Sequence, residues 1–122
     1  MVEDDEAVRE LVVTMLRNAG YTILDAGAPD AAVELAANHS GRIDLILSDI
    51  VMPSISGIRL VPLLRASRSD LKAILMSGYA AETLAQHTPV PPDVTFIEKP
   101  FSRNSLLTAI QGALGGEGGR VN

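Results

Sequence analysis

The segment from Ile43 to Asp49 reads IDLILSD, apolar at nearly every position rather than at every second one, and Ile50, Val51, Met52 and Pro53 follow at once. A strand with one wet face alternates. A strand that is apolar on both faces must be covered on both, which is the condition of a parallel strand in an α/β sheet. Asp44 is the exception in the run. The carboxylate of Asp49 closes it, at the carboxyl end of the strand, where open α/β folds place ligands and chemistry. Asp49 is therefore a candidate nucleophile.

Groups of matching chemistry stand at the ends of other apolar runs: Glu3 and Asp4 after the first, Ser77 after Ala73 to Met76, and Lys99 after Val94 to Ile97. Between these runs lie segments of helical period. Asp5 to Ala19 sets Val8, Leu11, Val12, Met15 and Leu16 on one side and turns Arg9, Glu10 and Arg17 to water, with Gly20 as the stop. Tyr21 to Ala26 reads as a short strand, and Asp30 to Asn38 as a helix with Pro29 in its first turn. Gly57 opens a third helix through Arg65 with Ile58, Val61 and Leu64 inward. Pro62 inside it costs roughly 3 kcal/mol and predicts a kink or an early start. Ala81 to Gln86 is a short fourth helix, residues 88–92 a loop, and Ser102 caps a last helix carrying Leu106, Leu107, Ile110, Ala113 and Leu114. Residues 1–114 form one domain, and the glycine-rich residues 115–122 read as a flexible tail.

Strands alternating with helices imply a parallel sheet with right-handed crossovers. Its 122 residues suit one domain, and 47% hydrophobic residues suffice for a core. With no cysteine there is no disulfide, thiolate metal site or cysteine nucleophile, in keeping with a reducing cytoplasm. No apolar run approaches the roughly 18–20 residues that span a bilayer, and no signal-peptide pattern opens the chain. A net charge of −5 without a basic stripe argues against direct nucleic-acid binding. Tyr21, Tyr79, Phe96 and Phe101 are too few and scattered to stack bases.

The ordered strings VEDDEAVREL, LILSDIVMPSISG, AILMSGYA and FIEKPF resemble the receiver domain of two-component response regulators across nearly the whole chain. The resemblance implies a flavodoxin-like (βα)5 fold with strand order 2-1-3-4-5. It also exposes a departure, because only Met1 and Val2 precede the acid pair, where receivers carry several apolar residues. That strand would be central, so losing most of it costs about several kcal/mol of burial. Residues missing from the start, a weakened domain, or a sheet completed by another chain would each account for it.

A carboxylate attacks phosphorus poorly unless the anionic charge of the incoming group is neutralised. Glu3, Asp4 and Asp49 offer the hard oxygen ligands that Mg²⁺ prefers. The resemblance implies that Asp4 and Asp49 bind Mg²⁺ directly, that the Val51 carbonyl adds a ligand, and that Glu3, in place of the commoner aspartate, acts through water. It implies further that Asp49 takes a phosphoryl group from phosphohistidine on a histidine kinase or phosphotransfer protein, with Lys99 contacting the Asp49 carboxylate or a phosphoryl oxygen and Ser77 donating a hydrogen bond to the phosphoryl group. Ser77 and Phe96 would then form the conformational switch, with Phe96 where receivers commonly carry Tyr. The Lys99–Pro100 bond is expected cis, as is usual in the family. Val51 and Tyr79 stand where receivers tune hydrolysis, and their bulk predicts a phosphorylated lifetime of minutes or longer. His39 and His87 lack the setting of a phosphodonor and are read as surface residues.

Bland readings stand beside these. The acids at 3–5 suit any helix N-terminus, Ser77-Gly78 and Lys99-Pro100 suit turns, and Met52-Pro53 and Gly57 shape a loop. A phosphatase of the haloacid-dehalogenase type also uses an aspartate nucleophile with Mg²⁺, but wants a second aspartate two residues on, where Val51 stands. A receiver reduced to a docking surface is a third reading, opposed by the retention of every pocket group. The motif style is similar to receivers of hybrid sensor histidine kinases, and a homodimer stays open.

Overall fold

The computed structural model describes residues 1–52, 55–78, 90–91 and 93–114. Among these described residues three parallel strands carry the sheet: β1 (Leu45–Asp49), β2 (Lys72–Ser77) and β3 (Val94–Glu98), in the order β1-β2-β3. Leu45 is registered with Lys72 and Asp49 with Met76, while Ser77 is registered with Glu98. Val2 adds a single bridge to Ser48 on one side and to Ala26 on the other. Its N–H donates to the Leu47 carbonyl at 2.8 Å, and its own carbonyl accepts from Asp49 at 3.0 Å. The segment at Ala26, the segment at Val2, β1, β2 and β3 thus follow one another in the expected 2-1-3-4-5 order of a flavodoxin-like sheet.

Two expected strands are reduced to these bridges. Residues 21–25 make no ladder, and only Ala26 pairs, through bonds from its N–H to the Met1 carbonyl and from the Glu3 N–H to its own carbonyl. Met1 to Glu3 offer too little backbone to zip up either neighbour. Beside them lies a cavity of about 350 Å³, walled by Leu24, by Leu45 and Leu47 of β1, and by Leu16, Leu35, Leu64 and Ile110 from the helices.

Helices cover both faces. Helix α1 (Glu6–Asn18) is capped by Asp5, whose carboxylate accepts from the N–H groups of Ala7 and Val8. Gly20, at φ 100°, provides the left-handed residue that follows its end. Helix α2 (Pro29–Asn38) starts on its proline, and α3 (Gly57–Arg65) is capped by Ser56. The final helix, α4 (Arg103–Leu114), has the Ser102 hydroxyl accepting from the Ser105 N–H at 3.0 Å. Pro62 lies on the exposed side of α3 and leaves the start at Gly57 unchanged.

The sheet alternates between two cores. Ile46, Ala73 and Leu75 join Ile58, Leu60, Val61 and Leu64 of α3 in one, and Leu47, Ile74 and Met76 join Val12, Leu16, Leu106 and Ile110 in the other. Full burial of each such aliphatic side chain stabilises by roughly 1.5–3 kcal/mol before entropy is counted. Within α1 the inward face is rotated from the expected one: Leu11 is 64% exposed and Val13 is buried. Leu11 belongs to the helical stripe by spacing, but the residues of α1 that are buried are Val12, Val13 and Leu16. The expected fourth helix, the loop at 88–92 apart from Val90 and Pro91, Tyr79, His87, Pro53 and the tail lie outside the described residues.

Candidate phosphoacceptor site

Asp49 ends β1 and is 8% exposed, and its neighbours hold its main chain tightly. Its N–H is bound to Val2, and its carbonyl accepts the buried Ser48 hydroxyl at 2.8 Å. Helix α3 starts directly against this point. A methyl group on Gly57 would collide with the Asp49 carbonyl and lie 3.0 Å from Ser48 Oγ, while the Gly57 N–H donates to Ile50 at 2.9 Å. Glycine is required there by close approach, with backbone φ playing no part.

Glu3 leaves the sheet from the neighbouring segment and is 1% exposed. Its two oxygens are both engaged, one by the Asp5 N–H at 3.1 Å and the other by Lys99 Nζ at 3.3 Å. Burial raises its carboxyl above the ordinary range; the Asp5 N–H opposes this, the Asp49 charge adds to it, and Lys99 opposes it. Glu3, Asp4 and Asp49 each present a carboxylate oxygen within 4.8 Å of the other two, with Asp4 exposed. Three hard oxygen donors at that spacing fit a divalent cation.

Lys99 comes from beyond β3 and stands between the carboxylates. Its Nζ is 3.1 Å from Asp49 Oδ2 and 3.3 Å from Glu3 Oε1. Burial disfavours its charge, yet the hydrogen bond and charge of Asp49, joined by Glu3, outweigh that and raise its pKa. Lys99 is tied to β2 through its N–H, which donates to the Ser77 carbonyl at 2.8 Å, and the Lys99–Pro100 peptide is cis. The Ser77 hydroxyl is buried and points to the Ile97 carbonyl at 3.4 Å, a long bond that leaves it easily redirected. Phe96 is registered with Leu75 and is 43% exposed, so its ring lies outward. Val51 follows the strand with its side chain exposed, and His39 ends α2 half-buried.

The structure thus gathers Glu3, Asp4, Asp49 and Lys99 at one sheet rim, with Ser77 one residue beyond the register partner of Asp49. The sequence reading missed Arg9, assigned to water by its place on the helix. Its Nη1 instead donates to the Glu3 carbonyl at 2.8 Å, and its side chain is only 18% exposed. The available signal was an arginine one turn into a helix that begins beside an acid pair.

The model of the response regulator receiver domain matches residues 1–111. The chain is 37% identical over 111 residues to the sensor kinase CckA of Brucella abortus (strain 2308), covering 91% of this chain and 12% of that protein. It is 34% identical over 113 residues to the response regulator receiver protein CpdR of the same organism, covering 91% of each. It thus spans a small part of CckA and nearly all of CpdR. A crystal structure of the receiver domain from the hybrid histidine kinase CckA superposes with a TM-score of 0.78 at 29% identity, covering 93% of this chain and 94% of that one. A receiver domain from Clostridium thermocellum, at 18% identity and a TM-score of 0.82 over 96% of this chain and 93% of the other, shares the fold. A family match over nearly the full length, met by relatives and folds of one kind, establishes that this chain belongs to the response regulator receiver domains of two-component systems.

Proposed function

We propose that residues 1–114 accept a phosphoryl group on Asp49 from a phosphohistidine of a histidine kinase or phosphotransfer protein. The supporting observation is the Lys99 ammonium shared between Asp49 Oδ2 and Glu3 Oε1 beside a cation-sized cluster of carboxylates. Asp4 and Asp49, with the Val51 carbonyl, would hold Mg²⁺ directly, and Glu3, both of whose oxygens are engaged, would act through water. When bound, the ion supplies charge neutralisation for two approaching anions.

In the transfer, an electron pair of an Asp49 carboxylate oxygen forms the P–O bond while the P–N bond breaks. The pair of that bond returns to the donor imidazole nitrogen, which takes up a proton. Lys99 follows the charge from carboxylate to phosphoryl oxygen, since phosphoryl transfer asks for positioning and charge stabilisation above all. The chain contributes to its own phosphorylation and is a phosphoacceptor module, with no turnover of a separate substrate. The work takes place in the cytoplasm, where such donors reside; among the described residues no helix is long and apolar enough to cross a membrane.

The switch follows from the tie between Ser77 and Lys99. A phosphoryl group on Asp49 offers the Ser77 hydroxyl a stronger acceptor than the Ile97 carbonyl 3.4 Å away. Movement of Ser77 frees space behind it, into which the exposed Phe96 ring turns, and a bias of a few kcal/mol between two populations is sufficient. Beryllofluoride with Mg²⁺ should shift the amide resonances of Ser77, Phe96 and Lys99 in the parent and leave Asp49→Asn unmoved. Equal shifts in both would contradict the assignment.

A further inference from the structure

Arg9 is the charged side chain that ties three segments together at the base of the acid pair. Its Nη1 donates to the Glu3 carbonyl at 2.8 Å, and its Nε is 3.6 Å from Asp25 Oδ2. A methyl on Gly27 would stand 2.8 Å from the same Nη1, too close for both to keep their places. The ladder explains why such a donor is needed. Ala26 bonds to Met1 and Glu3, so the next parallel rung would give the Glu3 carbonyl the N–H of residue 28. The chain bends at Gly27 and Ala28 to start α2, and Arg9 supplies the donor from α1.

We propose that Arg9 is a positioning residue for divalent-cation binding. By fixing the Glu3 carbonyl it sets the direction in which the chain leaves the sheet, and with it the placing of Glu3 and Asp4 relative to Asp49. The charges bearing on the Glu3 carboxyl are those of Asp49 and Lys99, so Arg9 acts on the pair through geometry. Gly27 is part of the device, because a methyl there would crowd Nη1 and shift the guanidinium tip. This inference rests on the reading of the acid cluster as a cation site.

The test is Mg²⁺ titration of the whole chain by calorimetry, alongside the Mg²⁺ dependence of labelling by acetyl phosphate. Arg9→Ala should weaken Mg²⁺ binding about tenfold, the lower end of what loss of an orienting partner costs. Gly27→Ala should move it in the same direction with Arg9 still present, and Arg9→Lys should recover part of the loss. Labelling rates at saturating Mg²⁺ should stay within about twofold of the parent, because the loss falls on binding. Arg68→Ala provides the control for stability. It removes bonds to the carbonyls of Ala36, His39 and Gly41, at and beyond the end of α2 and none of them in the acid cluster, and should lower Tm without moving the Mg²⁺ midpoint. An Arg9→Ala chain that binds Mg²⁺ like the parent, or one whose loss Arg68→Ala reproduces, overturns the proposal. A parent that binds Mg²⁺ but takes no label would remove the acceptor reading and leave the Arg9 comparison standing.

Discussion

Lys99 Nζ lies 3.1 Å from Asp49 Oδ2 and 3.3 Å from Glu3 Oε1, so one ammonium bridges both carboxylates, and in the proposed transfer it would meet the phosphoryl charge. Lys99→Met keeps much of the stem and removes the charge. Acetyl phosphate labelling should then slow about 100-fold, the order expected when a preorganised electrostatic group is lost. A labelling time course at saturating Mg²⁺ measures this, and an unchanged rate would take Lys99 out of the chemistry.

Gly57→Ala tests how Asp49 is held. The added methyl would meet the Asp49 carbonyl, which already accepts the Ser48 hydroxyl, so α3 or the end of β1 must move. Overpacking of this kind costs roughly 1–3 kcal/mol. Urea unfolding should show that loss, and labelling at Asp49 should slow with it.

Stability should rise between pH 6 and 8 through the Met1 amine. The amine donates to the Leu24 carbonyl at 2.9 Å, and burial lowers its pKa from 8.0 to about 6 against the pull of Asp25. Between these values the unfolded chain holds more protons than the folded one, so stability grows as pH climbs and is lost as pH falls toward 6. The full gain is at most roughly 2–3 kcal/mol, at about 1.4 kcal/mol per pH unit. Urea midpoints across this window should climb for the free amine more than for the N-terminally acetylated chain; parallel profiles would refute the assignment.

The phosphorylated form should last for minutes or longer. Val51 stands two residues past Asp49, the proposed acceptor, where its isopropyl group would shield a phosphoryl face from water without supplying a base. Chasing labelled protein after removal of acetyl phosphate measures the lifetime, and decay within seconds would contradict it.

The layered architecture was legible because IDLILSD can be satisfied only by cover on both faces, and the helices at Glu6–Asn18, Pro29–Asn38, Gly57–Arg65 and Arg103–Leu114 fall close to where periodicity and caps put them. Asp49 and Lys99 were legible as polar ends of apolar runs. Period alone failed at Leu11 and Val13, since a stripe gives the width of an apolar face but not the angle at which a helix meets its sheet. Tyr21 to Ala26 has strand composition and little strand structure, because pairing depends on neighbours that composition does not contain. Arg9 was hidden for a related reason: its partner is a backbone carbonyl, and carbonyls carry no sequence signal. The demand on Gly57 came from α3 packing against the end of β1, a contact between segments.

The most direct test of the account is intact-mass analysis of the parent and Asp49→Asn after incubation with acetyl phosphate and Mg²⁺. The parent should gain the mass of one phosphoryl group, lost on treatment with hydroxylamine as an acyl phosphate is, while Asp49→Asn gains none. Equal gain in both, or a gain in the parent that maps to another residue, would contradict Asp49 as the acceptor.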